Sequence, residues 1–170
     1  PDTFTNFNYP HIGKAAVKVL EHLGYEVLIP SVKCCGRPML SAGMIDKAKS
    51  NADSNVKTLL KYIRQGAKIV GIEPSCILSF RDDYKDLISD HSAFSEIAEN
   101  TMLIDEFLIH AQKVDGAVLK LSQATSEILL HSHCHQKTLV GTKKSMELLG
   151  SIPECNIKEI DSGCCGMAGS

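Results

Sequence analysis

Apolar residues recur along this chain with two periods, one suited to helices and one to short buried strands. In PHIGKAAVKVLEHLG, Ile12, Ala15, Ala16, Val19, Leu20 and Leu23 fall on one helical face. Pro10 is placed to open that helix and Gly24 to close it, so about four turns are expected. The YEVLIP that follows alternates toward a strand at residues 25–29. From Met44 to Gln65, Ile45, Ala48, Ala52, Val56, Leu59, Leu60 and Ile63 repeat at helical spacing and stop at Gly66, predicting a second helix. KIVGI, residues 68–72, is a β-branched run ended by Glu73-Pro74 and reads as a buried strand. Ile77, Phe80, Tyr84, Leu87 and Ile88 predict a third helix; Leu103, Phe107, Leu108 and Ala111 predict a fourth, after a polar link near residues 89–95. EILLH, residues 127–131, is expected as a strand, Lys137 to Leu149 as a helix with a weaker apolar stripe, and NIKEI, residues 156–160, as a last short strand.

Strands alternating with helices predict an α/β fold with an open, parallel sheet covered on both faces. That topology gives the cysteines a position. Cys34 and Cys35 follow the strand at 25–29, Cys76 follows 68–72, Cys134 follows 127–131, and Cys164 and Cys165 follow 156–160. Six of the seven cysteines therefore sit just past the carboxyl end of an expected strand, the edge where loops of a parallel sheet converge on a ligand. Cys155 has no such place and is read as an ordinary core cysteine.

Composition narrows the chemistry. The 170 residues, 44% of them hydrophobic, suffice for a core. A net charge of −2 without any long basic run argues against nucleic acid or an anionic membrane as the main partner. No apolar stretch reaches membrane-spanning length, so a cytoplasmic protein is expected, reaching a membrane only through a larger complex. An odd number of cysteines, two pairs of them vicinal, makes a secreted disulfide framework the weaker reading and metal or redox chemistry the stronger. Neither a GxGxxG nor a P-loop is present, which argues against flavin or nucleotide binding within this chain.

The pattern also repeats. NFNYPHIGKAAVKVLEHLG (6–24) lies over SHCHQKTLVGTKKSMELLG (132–150) without a gap, and each is followed by a strand and a CCG. The expected architecture is thus a duplicated, Rossmann-like βα repeat with a pseudo-two-fold relation: residues 1–100 form the first copy and 101–170 an incomplete second one. On this view the chain is a window on a larger domain, cut at both ends. Exposed apolar surface is expected where further segments would pack, and with it a tendency to form a homodimer.

A complete copy offers one cysteine from its first loop, two from CCG and one from its third loop. Four thiolates suit an iron–sulfur cluster or tetrahedral zinc. The first copy supplies Cys34, Cys35 and Cys76, with Asn8 where Cys134 stands in the second; the second supplies Cys134, Cys164 and Cys165, and its fourth ligand would fall beyond Ser170. One ligand short in each half, the chain alone is expected to be isolated without its cluster. Adjacent cysteines reach one centre only if the backbone turns sharply, which Gly36 and Gly166 permit. A multi-iron cluster gains more from such crowding than a single small ion.

The motifs CCGRP, PSC, HCHQK and DSGCCGMAGS resemble the CCG cysteine-rich domain found in heterodisulfide reductase, in the glycolate oxidase iron–sulfur component and in lactate-utilisation proteins. The opening PDTFTNFNYPHIGKAAVKVLEHLGYEV is most similar to the version fused behind an FAD-linked oxidase domain of the 2-hydroxy-acid dehydrogenase type. The resemblance implies electron transfer. FAD on a separate domain or subunit oxidises a hydroxy acid such as glycolate or lactate, and cubane clusters together with a CCG-bound cluster pass the electrons on, so a flavin oxidase and other iron–sulfur domains are the implied partners. By position, Cys134, Cys164 and Cys165 match the cluster- and metal-binding motif of the second repeat, and Cys34, Cys35 and Cys76 that of the first. No residue of this chain is implied to be catalytic. By itself the chain is expected to be inactive.

Other readings stand beside this one. His133 and His135 flank Cys134 as further ligands or as donors around a cluster. Arg37 can offset thiolate charge or form a surface ion pair. RDDYKDLISD reads as a solvated helix face. A structural zinc module mediating assembly is the alternative function, and a catalytic thiol enzyme finds no supporting His–Cys arrangement.

Overall fold

In the computed structural model, which describes residues 1–124 and 126–163, the chain forms two compact units, Pro1–Ile104 and Asp105–Ser170. Each mixes helices with one small parallel sheet.

The first unit opens on a short π-helical segment, Phe4–Asn8, packed on helix α1, Pro10–His22. Tyr9, just ahead of Pro10, forms the N-cap, and only Leu20 of α1 is fully buried, so the predicted stripe is half covered. A series of short elements then surrounds one long helix. These are α2 (Arg37–Ser41), the long α3 (Ile45–Ile63), β1 (Ile69–Gly71), α4 (Pro74–Leu78), α5 (Tyr84–Leu87), α6 (His91–Glu99) and β2 (Thr101–Leu103). Helix α3 buries Ala48, Ala52, Val56, Leu59 and Ile63 of the stripe its sequence predicts, while Ile45 at its start stays exposed and Leu60 half-buried, and it carries α2, α5 and α6 on its flanks. Strands β1 and β2 pair in parallel, Ile69 opposite Thr101 and Gly71 opposite Leu103, and α4 packs against both. Gly71 is where that packing is tightest: a Cβ there would meet the Ile77 side chain at 2.6 Å.

The second unit holds most of α7 (Ile104–Lys113), then β3 (Ser126–Leu130), α8 (Cys134–Leu139), α9 (Lys143–Gly150) and β4 (Cys155–Glu159). Strands β3 and β4 pair in parallel from Ser126–Cys155 to Leu130–Glu159, with α8 and α9 forming the crossover. Buried Gln136 of α8 donates to Asp105 of α7 at 3.1 Å and to Ser145 of α9 at 2.7 Å, tying the three helices together. Among the described residues, no helix is long and apolar enough to cross a membrane.

Several expectations are corrected. Residues 25–29 form no strand: Leu28 and Ile29 stand 51% and 65% exposed and no strand pairs with them among the described residues, so their alternation never becomes a ladder. In place of one open sheet, the strands among the described residues pair as β1–β2 and β3–β4. The third predicted helix is two short ones, because between Ile77 and Tyr84 the turns slip between three-, four- and five-residue spacing while Phe80 and Tyr84 remain buried. The single helix expected from Lys137 to Leu149 breaks at Gly141, φ +71°. The polar link near residues 89–95 is instead α6, capped by Asp90, whose carboxylate accepts from the Ala93 N–H at 3.0 Å. Leu103, expected in a helix, ends β2. The RDDYKDLISD segment is more than a solvated face: Tyr84 and Leu87 are buried and Asp83 and Asp90 have structural partners.

Candidate metal centre

The first CCG lies at the start of α2. Gly36 is its N-cap with φ +98°, a left-handed conformation that glycine adopts without strain and that turns the chain sharply after two cysteines. The turn rests on α3 where that helix is thinnest; a Cβ on Gly36 would lie 3.5 Å from Ala48. Cys34 is left exposed and Cys35 is buried at 6% exposure.

Cys76 comes from the other side. Strand β1 ends at Gly71 and the chain passes through Glu73-Pro74 into α4, with Glu73 as N-cap. Its carboxylate accepts from the Cys76 N–H at 2.6 Å and from the Ser75 hydroxyl at 2.7 Å, so the cysteine is fixed within the first turn. The result is that Cys35 Sγ and Cys76 Sγ lie 3.6 Å apart and share a hydrogen bond. That bond is the main cause that lowers Cys35 to a pKa of about 7 against the usual 9.0, ahead of the opposing effect of burial; the Arg37 N–H lowers it further. Cys76 is pushed up by the same shared hydrogen bond, then by burial and by the negative charge of Glu73. Burial also raises Cys34.

Two groups that sequence reasoning missed hold this arrangement. Asn55 of α3 is fully buried; its Oδ1 accepts from the Lys33 N–H at 2.7 Å, and its Nδ2 donates to the Lys33 carbonyl at 3.1 Å, the Cys34 carbonyl at 3.4 Å and the Tyr84 hydroxyl at 2.9 Å. Asn51, one turn earlier, reaches the Cys34 carbonyl at 3.3 Å. Tyr84, fully buried with its ring 4.5 Å from that of Phe80, has its phenol pushed up by burial. The signal was a polar residue, Asn55, set within the apolar stripe of α3. Arg37 takes the ion-pair reading: its guanidinium binds Asp83 through both carboxylate oxygens, at 2.8 and 3.0 Å, and pins α2 to the segment entering α5.

In the second unit Cys134 opens α8 behind its N-cap His133, whose Nδ1 accepts from the His135 N–H at 3.2 Å. Past β4 the chain is held beside this loop: Ile160 N–H donates to the Leu130 carbonyl at 2.9 Å, Lys137 Nζ to the Ser162 carbonyl at 2.9 Å, and His131 Nε2 lies 3.3 Å from the Gly163 carbonyl. Cys164 and Cys165, the remaining ligands expected from the second repeat, lie outside the described residues. Cys155 is half buried at the start of β4. Asn8, at the position matching Cys134, is exposed.

The donor set can be tested against a thiolate-bound metal. Two sulfurs on one tetrahedral ion, at bond lengths of about 2.3 Å, stand about 3.8 Å apart. Cys35 and Cys76 at 3.6 Å fit two adjacent corners of such a centre, and their softness suits iron or zinc. Among the described residues no set of three or more Cys, His, Asp or Glu side chains converges to complete one.

The sequence profile of the CCG cysteine-rich domain matches residues 3–81. A component of the anaerobic glycerol-3-phosphate dehydrogenase of Escherichia coli (strain K12) is 30% identical over 174 residues, covering 98% of this chain and 42% of that protein. The lactate utilization protein A of Bacillus subtilis (strain 168) is 30% identical over 170 residues, covering 94% of this chain and 67% of that protein. The protein of that name from Exiguobacterium sp. (strain ATCC BAA-1283 / AT1b) is 28% identical, with 95% and 67% covered. The chain thus spans less than half of the first relative and about two thirds of the others. No solved structure matches it.

Proposed function

This chain belongs to the CCG cysteine-rich domain family, and from that premise we propose that it is the iron–sulfur electron-transfer part of a flavin-linked oxidoreductase acting on 2-hydroxy acids of the glycolate or lactate type. The observation that carries the reading is the apposition of Cys35 and Cys76, brought from separate elements to 3.6 Å with both flanking backbones hydrogen-bonded in place. Cys34, Cys35 and Cys76 would hold a centre in the first CCG repeat, and Cys134, Cys164 and Cys165 one in the second. The matching of residues 6–24 to 132–150 supports reading the chain as two copies of one unit, with Asn8 marking the first copy as the poorer site. In the second unit, the bonds from Lys137 and His131 to Ser162 and Gly163 hold the chain leading into the second CCG beside the loop that bears Cys134, which supports their use together.

An iron–sulfur cluster supplies a one-electron carrier whose potential depends on cluster charge, hydrogen bonds to sulfur and exposure to solvent. The chain's residues act on those terms. Asn51 and Asn55 hold the Cys34 carbonyl, Gly36 turns the chain sharply just after the two cysteines, and Glu73 fixes Cys76 while placing negative charge near it. The relatives' names, a glycerol-3-phosphate dehydrogenase component and lactate utilization proteins, support a partner that removes electrons from a carbon-bound hydroxyl and passes them here. A flavin oxidase domain or subunit fits that role.

A structural zinc site is the second reading, favoured by the same 3.6 Å separation, which suits a single tetrahedral ion equally well. The discriminating experiment uses the full-length protein with its flavin partner, kept free of oxygen, and adds lactate, glycolate or glycerol 3-phosphate in separate arms. Reduction of iron–sulfur signals by a 2-hydroxy acid, with flavin reduction retained but onward transfer lost in Cys134→Ala, supports the proposal. Reduction by glycerol 3-phosphate alone keeps the carrier role and overturns the substrate class; absence of any iron–sulfur signal overturns both.

A further inference from the structure

We propose that, in the metal-free chain, Cys35 and Cys76 are a reversible dithiol/disulfide pair that locks the CCG turn onto the start of α4. The inference concerns the chain with no metal bound and does not depend on the electron-transfer role. The 3.6 Å between the sulfurs exceeds a disulfide bond of about 2.05 Å by only about 1.5 Å. The backbones on either side are already fixed, at Cys34 by Asn51 and Asn55 and at Cys76 by Glu73, so the two sulfurs are held facing each other. Among the described residues no third ligand joins them to favour a metal over the bond. Cys76 is partly exposed, which gives a small oxidant a way in, and Cys34 is exposed to solvent rather than buried with the pair.

The step balances with a peroxide as oxidant. One sulfur attacks the peroxide oxygen, and the O–O bond breaks with loss of one water equivalent. The second sulfur then displaces the oxygen from the resulting sulfenic acid, forming the S–S bond and releasing a second water. Overall two thiols lose two electrons and two protons, and one hydrogen peroxide becomes two waters. A dithiol reductant reverses the bond by exchange. In the oxidised form neither sulfur is free to ligate, so the pair's redox state decides whether this turn is open to a metal.

The test treats the metal-free 170-residue chain, prepared in chelator, with one equivalent of hydrogen peroxide. The expected result is loss of two titratable thiols per chain, a mass lower by two hydrogens, a cross-linked peptide joining the CCGR segment to the one containing Cys76, and full recovery in dithiothreitol. Cys34→Ser should keep that cross-link, and Cys76→Ser should abolish it. A link between Cys34 and Cys35, a link that persists in Cys76→Ser, or intermolecular disulfides would overturn the proposal, as would retention of all thiols. Linkage mapping on the unsubstituted chain decides the matter even where a variant fails to fold.

Discussion

Replacing Asn55 by alanine removes a fully buried amide that serves four polar groups at 2.7 to 3.4 Å. The losses are unequal. Lys33 and Cys34 are exposed, so water can take over the Lys33 N–H and both carbonyls at small cost. Tyr84 is fully buried, and its hydroxyl would be left without the amide that donates to it. An unsatisfied buried group costs about 1–3 kcal/mol, and the cavity left by the side chain adds roughly 1 kcal/mol. The substitution should therefore destabilise by about 2–4 kcal/mol, a large share of the ~5–15 kcal/mol typical of a folded domain. Urea unfolding of the metal-free chain measures it, with Tyr84→Phe and the double variant completing a cycle; a coupling of about 1 kcal/mol is expected between the two sites. A loss below about 0.5 kcal/mol for Asn55→Ala, or strict additivity with Tyr84→Phe, would refute the view that this amide is what holds the CCG turn.

Three further outcomes follow from the same geometry. Gly36→Ala meets ordinary contact at Ala48 but cannot relax from φ +98°, so it should cost about 1 kcal/mol or more in unfolding free energy and slow cross-linking of Cys35 to Cys76. Gly71→Ala would drive a methyl to 2.6 Å from Ile77; a loss of about 1–3 kcal/mol is expected, and in an Ile77→Ala background, itself destabilised because Ile77 is buried, the same change should cost much less; an equal cost in both backgrounds would count against the packing described. For pH, the Cys35 pKa is depressed from 9.0 to about 7, so its contribution to stability is absent below pH 7 and grows as pH rises toward 9; Cys76, shifted upward, works in the opposite sense only above pH 9. Thiolate absorbance of the metal-free chain, taken as the difference from Cys35→Ser, should therefore rise with a midpoint near 7 rather than 9.

Local pattern carried much of the fold. Helices α1 and α3 begin and end within a few residues of the limits set by Pro10, Gly24 and Gly66, and β1, β3 and β4 lie within a residue or two of their expected runs, because periodicity and the flanking breakers agree there. Residues 25–29 misled because alternation reports a face, whereas a strand also needs a neighbour to pair with. Helix α6 was hidden because its cap, Asp90, was read as part of a polar link. At the site, the spacing of CCG and PSC marked the cysteines, but which sulfurs meet depends on the turn at Gly36 and on the cap at Glu73. The Asn55–Tyr84 clamp joins residues 29 positions apart and has no local signature beyond one polar side chain on an apolar stripe.

The central claim is that the paired CCG motifs hold iron and sulfide. It is tested most directly by measuring iron, acid-labile sulfide and zinc per chain in the full-length protein purified without air, alongside Cys164→Ala and the control Cys155→Ala. The account predicts iron and sulfide in the unsubstituted protein and in the control, with both lower in Cys164→Ala by the share of one cluster. Zinc without iron or sulfide, or an iron content untouched by Cys164→Ala, would contradict it.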